Sequence, residues 1–328
     1  MKAMIYTEYG SPDVLRLADV PTPTPKAGEV LVKIHAASVN GADIRLLRAQ
    51  PFLVRLSGLG VFKPKHPILG ADIAGRVEAV GSGVTGFKPG DAVCGDISNH
   101  GRGGFAEYVA VPEAALAPMP VTLSFEEAAA APLAGITALQ ALRDKAQVQA
   151  GELVAINGAS GGVGTFAVQI AHALGANVTA IASASKLQML RELGADQVID
   201  YAREDFTARA GEYDVILAIN GYHPLKDYAR ALKPGGRYVM VGGTDAQLFE
   251  ALLRAPLMRK RDGKRLGSLT ANSTPADLRA LLDLIVRGAV KPVIERCYPL
   301  DEAPEALRVL DAGHVRGKLV INIKADDK

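Results

Sequence analysis

The residues best suited to chemistry stand in one short run, Asn157-Gly158-Ala159-Ser160-Gly161-Gly162-Val163-Gly164, just after the apolar stretch Val154-Ala155-Ile156. The pattern reads A-x-G-x-x-G, with Ala159 where a dinucleotide fingerprint has its first glycine. At this spacing Gly161 lets the backbone approach a pyrophosphate, and Gly164 lets a following helix pack close to the strand. That helix is written in Val163, Ala167, Ile170, Ala171 and Leu174, which recur at helical spacing before Gly175 stops it. Its N-terminus offers unpartnered N–H groups and a partial positive charge, so the turn of Ser160, Gly161, Gly162 and Val163 suits a phosphate. A second apolar run, Val178-Thr179-Ala180-Ile181-Ala182, completes a strand-turn-helix-strand unit of the kind that holds a dinucleotide.

The end of the second strand bears on which dinucleotide. An NAD site carries Asp or Glu there, about 20 residues past the glycines, to bond the ribose 2′-hydroxyl. Here the place is Ser183-Ala184-Ser185-Lys186, without an acid. Two hydroxyls and an ammonium accept a 2′-phosphate, which a carboxylate would repel. The reading is NADP(H), with Ser183 and Lys186 at the phosphate. The alternative is that Ser183 merely ends a strand and Lys186 is a solvated helix residue.

The elements that position this turn follow from the rest of the chain. Its 328 residues allow two domains with sizeable cores, and 48% hydrophobic residues with 34 glycines suit an α/β protein rich in tight turns. Residues 1–122 read as mostly β: Val30 to Ala36 alternates, Ile73 to Val80 forms another strand, and turn signals such as Gly81-Ser82-Gly83 and Lys88-Pro89-Gly90-Asp91 are dense. A compact barrel-like domain is expected there. From Ser124 the texture changes, with a capping box at Ser124-Phe125-Glu126-Glu127 and an alanine-rich helix. Three β-α alternations then run to Arg237–Gly243, so residues 123–272 are expected to form a doubly wound parallel sheet. Arg265 to Thr270 reads as its edge strand, which makes a homodimer the default. Residues 273–328 hold helices at Ala276–Arg287 and Ala303–Leu310, an extended stretch near Val293 and a strand at Lys318–Ile323. This tail is too small to fold alone and is expected to return to the N-terminal domain.

Composition excludes several functions. A net charge of +2 without a lysine-arginine stripe gives no basis for nucleic-acid binding. The cluster of Arg254, Arg259, Lys260, Arg261, Lys264 and Arg265 reads as a solvated loop. Cys94 and Cys297 are the only cysteines and lie far apart, so no disulfide framework or CxxC site is indicated. The N-terminus, with Glu8 and early prolines, is not a secretory signal, and no apolar stretch is long enough to span a bilayer. A cytoplasmic enzyme fits best.

Motifs along the full length resemble the medium-chain dehydrogenase/reductase superfamily, in its zinc-free quinone oxidoreductase and alkenal reductase branch. They include Tyr9-Gly10-Ser11-Pro12-Asp13-Val14-Leu15, Ala36 to Asp43, Gly70-Ala71-Asp72-Ile73-Ala74-Gly75, Phe87 to Asp91 and Gly104-Phe105-Ala106-Glu107-Tyr108. Ala128 to Ala138, the glycine turn, Leu193-Gly194-Ala195-Asp196 and Gly313-His314-Val315-Arg316-Gly317-Lys318 complete the set. The resemblance implies a GroES-like β domain built from both chain ends, a Rossmann domain between them, and a cleft for nicotinamide. Its alcohol dehydrogenase branch has a catalytic cysteine where this chain has Asn40, a His-Glu pair where it has Ala71-Asp72, and a cysteine near Leu133. The six histidines are scattered, so no zinc site is expected.

Without a Lewis acid, alcohol oxidation lacks the group that acidifies the hydroxyl. Hydride delivery to quinones or α,β-unsaturated carbonyls remains feasible, because conjugation makes carbon electrophilic and needs only hydrogen bonds at oxygen. Asn40 is the first catalytic candidate, as its amide can donate to that oxygen, although capping the helix near Ala42 is equally open. Asp43 and Asp72 read as structural acceptors. Arg45 stands where some quinone reductases carry a tyrosine, which leaves solvent as the proton donor. The resemblance places Thr137, Val241, Gly242 and Gly243 beside the carboxamide, Gly162 and Val163 at the pyrophosphate, and Tyr201 by the adenosine. Asn220 ends a strand, and Leu269 and Lys318 would close the nicotinamide end. The apolar segment Gln50–Lys65 lines an acceptor pocket, touches a membrane surface, or is core beneath a lid. Two alternatives stand beside this reading: an enoyl or enone reductase without quinone activity, and a non-catalytic NADPH-binding sensor or assembly factor.

Overall fold

The computed structural model describes residues 1–50, 60, 63–243, 250 and 263–323. The chain divides into two compact units, one of Met1–Leu133, Ser273–Val286 and Pro292–Lys328, the other of Ala134–Asn272 and Arg287–Lys291.

Among the described residues the second unit holds a six-stranded sheet, every neighbouring pair parallel. In chain order its strands are Leu153–Asn157, Asn177–Ala182, Gln197–Asp200, Tyr213–Ala218, Leu232–Met240 and Arg265–Ser268. Their spatial order is 3-2-1-4-5-6, so the chain reverses direction between the first strand and the fourth. In open sheets of this kind ligands bind outside the carboxyl ends of the strands, at that reversal. Ala155, Ile181, Ile216, Tyr228 and Tyr238 belong to the core beneath it. The expected edge strand is Arg265–Ser268, which among the described residues pairs only with Leu232–Met240.

The first unit is built on the strand Glu29–Val39, 11 residues long, whose two halves have different neighbours. Its first half pairs with Tyr108–Pro112 and its second with Lys318–Asn322, while Asp72–Val80 runs along the other side. Register shifts at Leu31/Val32 and Ile34/Ala36 mark the bulges that let one strand bend between two sets of partners. The extended stretch near Val293 becomes the strand Ile294–Pro299, parallel to Lys318–Asn322. Helices Pro275–Val286 and Ala303–Asp311 complete the tail. The capping box is formed as expected: Ser124 Oγ accepts the Glu127 N–H at 3.2 Å, and Glu127 accepts the Ser124 N–H at 3.1 Å. Behind it Ala128, Ala129 and Ala130 are fully buried, because only methyl-sized side chains let this helix sit close on its neighbours.

Candidate functional site

The glycine turn leaves the first parallel strand at Asn157. Gly158 takes φ +87°, and a Cβ there would stand 2.8 Å from the Asn220 nitrogen. Glycine is therefore required where the first and fourth strands close up. At Gly164 a Cβ would lie 2.2 Å from the Gly158 carbonyl oxygen, which is the close helix–strand approach expected of it. Gly161 differs. Its φ of −82° suits any residue, and a Cβ would meet only the Gly158 oxygen, at 3.8 Å. The helix Gly162–Ala173 starts beside that open space, and its N-cap Gly161 supplies no side chain to fill the first-turn N–H groups. Open space before an uncapped helix N-terminus fits the pyrophosphate of a dinucleotide.

The other cofactor candidates stand at the carboxyl ends of the same strands. The Val241 and Gly242 N–H groups donate to the Ala218 carbonyl at 2.8 and 3.2 Å, Gly221 bridges to Gly243, and the Leu269 N–H donates to Met240 at 2.8 Å. Asn220 is exposed, with its N–H on the Asn157 carbonyl at 3.2 Å. Ser160 is buried, and Thr137 is half-buried in the helix Pro132–Leu139. Tyr201 is exposed and its N–H donates to the Ala182 carbonyl at 3.2 Å. Ser183 follows the second strand and is half-buried.

Lys186 is not the solvated helix residue of the alternative reading, since only 8% of it is exposed. The ladder also brings up an acid that the linear reading passed over. Asp200, last in the third strand, pairs in register with Ala182, one residue before Ser183. Its carboxylate accepts the Ala202 N–H at 3.1 Å and lies 3.6 Å from Arg203. Lys186→Ala is expected to weaken NADPH binding about tenfold and leave NADH unchanged, since a charge-assisted bond to the 2′-phosphate is worth roughly 1.5–3 kcal/mol. Titration of both cofactors checks this, and equal losses would remove Lys186 from the 2′-phosphate site.

In the first unit, Asn40, Asp72 and Lys318 meet in a buried network. Lys318, 3% exposed, donates from Nζ to Asn40 Oδ1 at 2.5 Å and to the Val39 carbonyl at 3.1 Å, and stands 3.6 Å from Asp72 Oδ2. Asp72 Oδ2 accepts Ser38 Oγ at 2.6 Å and Asn40 Nδ2 at 2.9 Å, and Oδ1 accepts the Leu133 N–H at 2.8 Å. The second hydrogen on Asn40 Nδ2 points to the Ser38 carbonyl at 3.3 Å. Both amide hydrogens are thus held inside the network, and a bond to an acceptor's oxygen would displace one of them. Asn40 is also the N-cap residue of the helix Gly41–Arg48, with its N–H on Asp43 Oδ2 at 2.8 Å. Asp43 is fully buried, accepts the Gly70 N–H at 3.2 Å and faces Arg102 at 3.9 Å. Arg45 is exposed on the same helix.

Burial sets the electrostatics of this network. Desolvation pushes the Asp72 carboxyl up from 3.8 to about 6 against the pull of Lys318, and the same desolvation lowers the Lys318 ammonium. Desolvation also raises Asp43, and it raises the Cys94 thiol to about 12 with help from Asp72. Ser38 is the member that sequence reasoning missed; its only signal was its place two residues before Asn40.

Among the described residues no group of three His, Cys, Asp or Glu is placed to hold a metal, and no helix is long and apolar enough to cross a membrane. Most of Gln50–Lys65, and Arg254, Arg259, Lys260 and Arg261, lie outside the described residues.

Residues 26–121 match the alcohol dehydrogenase GroES-like domain, and residues 193–321 match the zinc-binding dehydrogenase family. Over 335 residues the chain is 33% identical to a chloroplast envelope quinone oxidoreductase homolog of Arabidopsis thaliana, covering 98% of each. It is 34% identical to an NADPH-dependent alkenal/one oxidoreductase of the same plant, over 98% of this chain and 79% of that one. A solved NAD-dependent alcohol dehydrogenase superposes with a TM-score of 0.86 at 33% identity, covering 99% of this chain and all of the other. Two family matches, a GroES-like β unit and a Rossmann-like parallel sheet, and full-length likeness to quinone and alkenal oxidoreductases agree. The chain belongs to the medium-chain dehydrogenase/reductase superfamily of nicotinamide-nucleotide oxidoreductases, in its zinc-free quinone oxidoreductase branch.

Proposed function

We propose that the chain is an NADPH-dependent reductase of quinones or α,β-unsaturated carbonyls that works without zinc. The observation that carries this reading is the Lys318 ammonium, bonded to Asn40 and paired with Asp72. These are two of the positions where alcohol dehydrogenase relatives hold their metal. Here the local cation is an ammonium, and both side chains are already bonded to it or to each other. A group able to acidify an alcohol is missing from that set, so the acceptor must be electrophilic in its own right.

When bound, the dihydronicotinamide supplies the hydride. Gly161, Gly162 and Val163 with Ser160 hold the pyrophosphate at the helix N-terminus, and Ser183 and Lys186 take the 2′-phosphate. Arg203 offsets the charge of Asp200 beside them. Thr137, Val241, Gly242, Gly243 and Leu269 orient the carboxamide end. Asn40, held by Lys318 and Asp72, fixes the backbone at the start of its helix, and solvent returns the proton. The protein is cytoplasmic in this reading and pairs as a homodimer along the edge Arg265–Ser268.

NADPH oxidation against naphthoquinones, enals and enones, on protein with its metal content measured, tests the proposal. The expected result is turnover with quinones or enals, less than one-tenth zinc per chain, and activity unchanged by chelation. Turnover of enones alone would favour the enone reductase. Tight NADPH binding without turnover of any acceptor would favour a sensor, and stoichiometric zinc whose removal abolishes activity would overturn the mechanism.

A further inference from the structure

A cavity of about 520 Å³ lies within the first unit, in the size range of small-molecule sites. One wall is the hairpin of Lys2–Ile5 and Arg16–Asp19, an antiparallel pair. The others are the end of the strand Ile294–Pro299, the short turn Leu300–Glu302 and the last residue of Lys318–Asn322. None of its lining residues takes part in the glycine turn or the Asn40 network.

Glu107 lines the cavity and ties the hairpin to the rest of the unit. Its Oε2 accepts the Lys2 N–H at 2.7 Å, and its own N–H donates to the Lys2 carbonyl at 3.0 Å. The residue is 9% exposed, and among the described residues no donor reaches its Oε1. Asn322 Oδ1 is buried and accepts nothing, so its oxygen gives up no bond if the amide turns toward a donor in the cavity. Buried acceptors without a donor are rare in native folds, and two around one cavity call for a donor from outside the chain.

The charge of the lining selects that donor. Glu107 and Asp301 bring two carboxylates against the one ammonium of Lys2, which leaves the lining net negative. Leu17, 44% exposed, adds apolar surface together with Pro299 and Leu300. We propose that the cavity binds a small primary ammonium ion with an apolar body. An ammonium carries three donors and no acceptor, which suits Glu107 Oε1 and Asn322 Oδ1, and its bond to a carboxylate is charge-assisted. The apolar body packs on Leu17, Pro299 and Leu300. This site is independent of the dinucleotide reading and stands or falls without it.

Calorimetry on the full-length protein at neutral pH, with 2-phenylethylammonium chloride and with 2-phenylethanol, tests the proposal. The ammonium is expected to bind with a Kd of about 1 mM or tighter, and the alcohol, of like shape without charge, at least about tenfold more weakly. Glu107→Gln keeps an acceptor for the Lys2 N–H but loses the charge, so it should weaken the ammonium about tenfold and leave the alcohol unchanged. Leu17→Arg sets a cation at an exposed position of the lining, so it should weaken the ammonium about tenfold or more with the melting temperature unchanged. That second variant keeps the test decisive if Glu107→Gln loosens the hairpin. No binding of the ammonium by the parent, equal affinity for the two compounds, or unaltered affinity in Leu17→Arg would each overturn the proposal.

Discussion

Lys318→Met is expected to lose about 3–5 kcal/mol of folding stability at pH 8, the range seen when one partner is removed from a buried ion pair. The loss comes from what is left behind. Asp72 keeps its bonds from Ser38, Asn40 and Leu133 but loses the ammonium that faces it, and Asn40 Oδ1 loses its donor. The deficit is expected to depend on pH. In the parent, burial already raises Asp72 to about 6, so the folded chain holds that proton more tightly than the unfolded chain, whose value is 3.8. Its contribution to stability is fully present below about 4 and is lost as pH rises through 6. Removing Lys318 raises Asp72 further, because the ammonium was pulling it down. The variant's deficit should therefore shrink toward pH 5, where Asp72 is protonated in both proteins, and grow toward pH 9. Adding Asp72→Asn to Lys318→Met should recover part of the loss by removing the stranded charge. Urea unfolding across this pH range checks all three statements. A deficit below 1 kcal/mol that is flat with pH would show that the pair does not hold this end of the fold.

Gly161→Asp is expected to keep its fold and lose cofactor affinity by about 100-fold or more. The backbone there is extended and a Cβ meets open space, so the substitution strains nothing. The new carboxylate would occupy the anion's place at the helix N-terminus, and juxtaposed like charges cost several kcal/mol. A carboxylate near a helix N-terminus is favourable in itself, so melting temperature should hold or rise slightly. Gly164→Ala is the contrasting variant. Its methyl would lie 2.2 Å from the Gly158 oxygen, so it should lose stability and binding together. Fluorescence titration with NADPH and thermal unfolding on both proteins separate the two effects. Near-normal affinity in Gly161→Asp would place the pyrophosphate elsewhere.

The glycine turn was legible because its demands are local. The close approach at Gly164 involves only Gly158 and Ala159 of the same β-α unit, whereas the approach of Gly158 to Asn220 crosses to the fourth strand and was not read. The parallel sheet was legible too, since it follows from the alternation of strands and helices, but the alternation leaves its order, 3-2-1-4-5-6, open. The capping box at Ser124 was readable for the same reason. The buried network was not. Asn40 and Lys318 are separated by 278 residues, and nothing in either segment's pattern says that an amide and an ammonium will meet. Asp200 shows a second limit: it reads as the end of a strand, but only the ladder register puts it beside Ala182. Lys186 shows a third, because the pattern alone leaves a solvated lysine open as an alternative until the packing around it is known.

The most direct test of the central claim follows the hydrogen itself. NADPH deuterated at C4, prepared in both stereochemical forms, is given to metal-stripped protein with an α,β-unsaturated aldehyde, and the product is examined by mass spectrometry and NMR. The account requires one of the two labelled forms to deliver a single deuterium to the β-carbon, with a hydrogen from solvent on the α-carbon. A product without deuterium, or one formed only after zinc is added back, would contradict it.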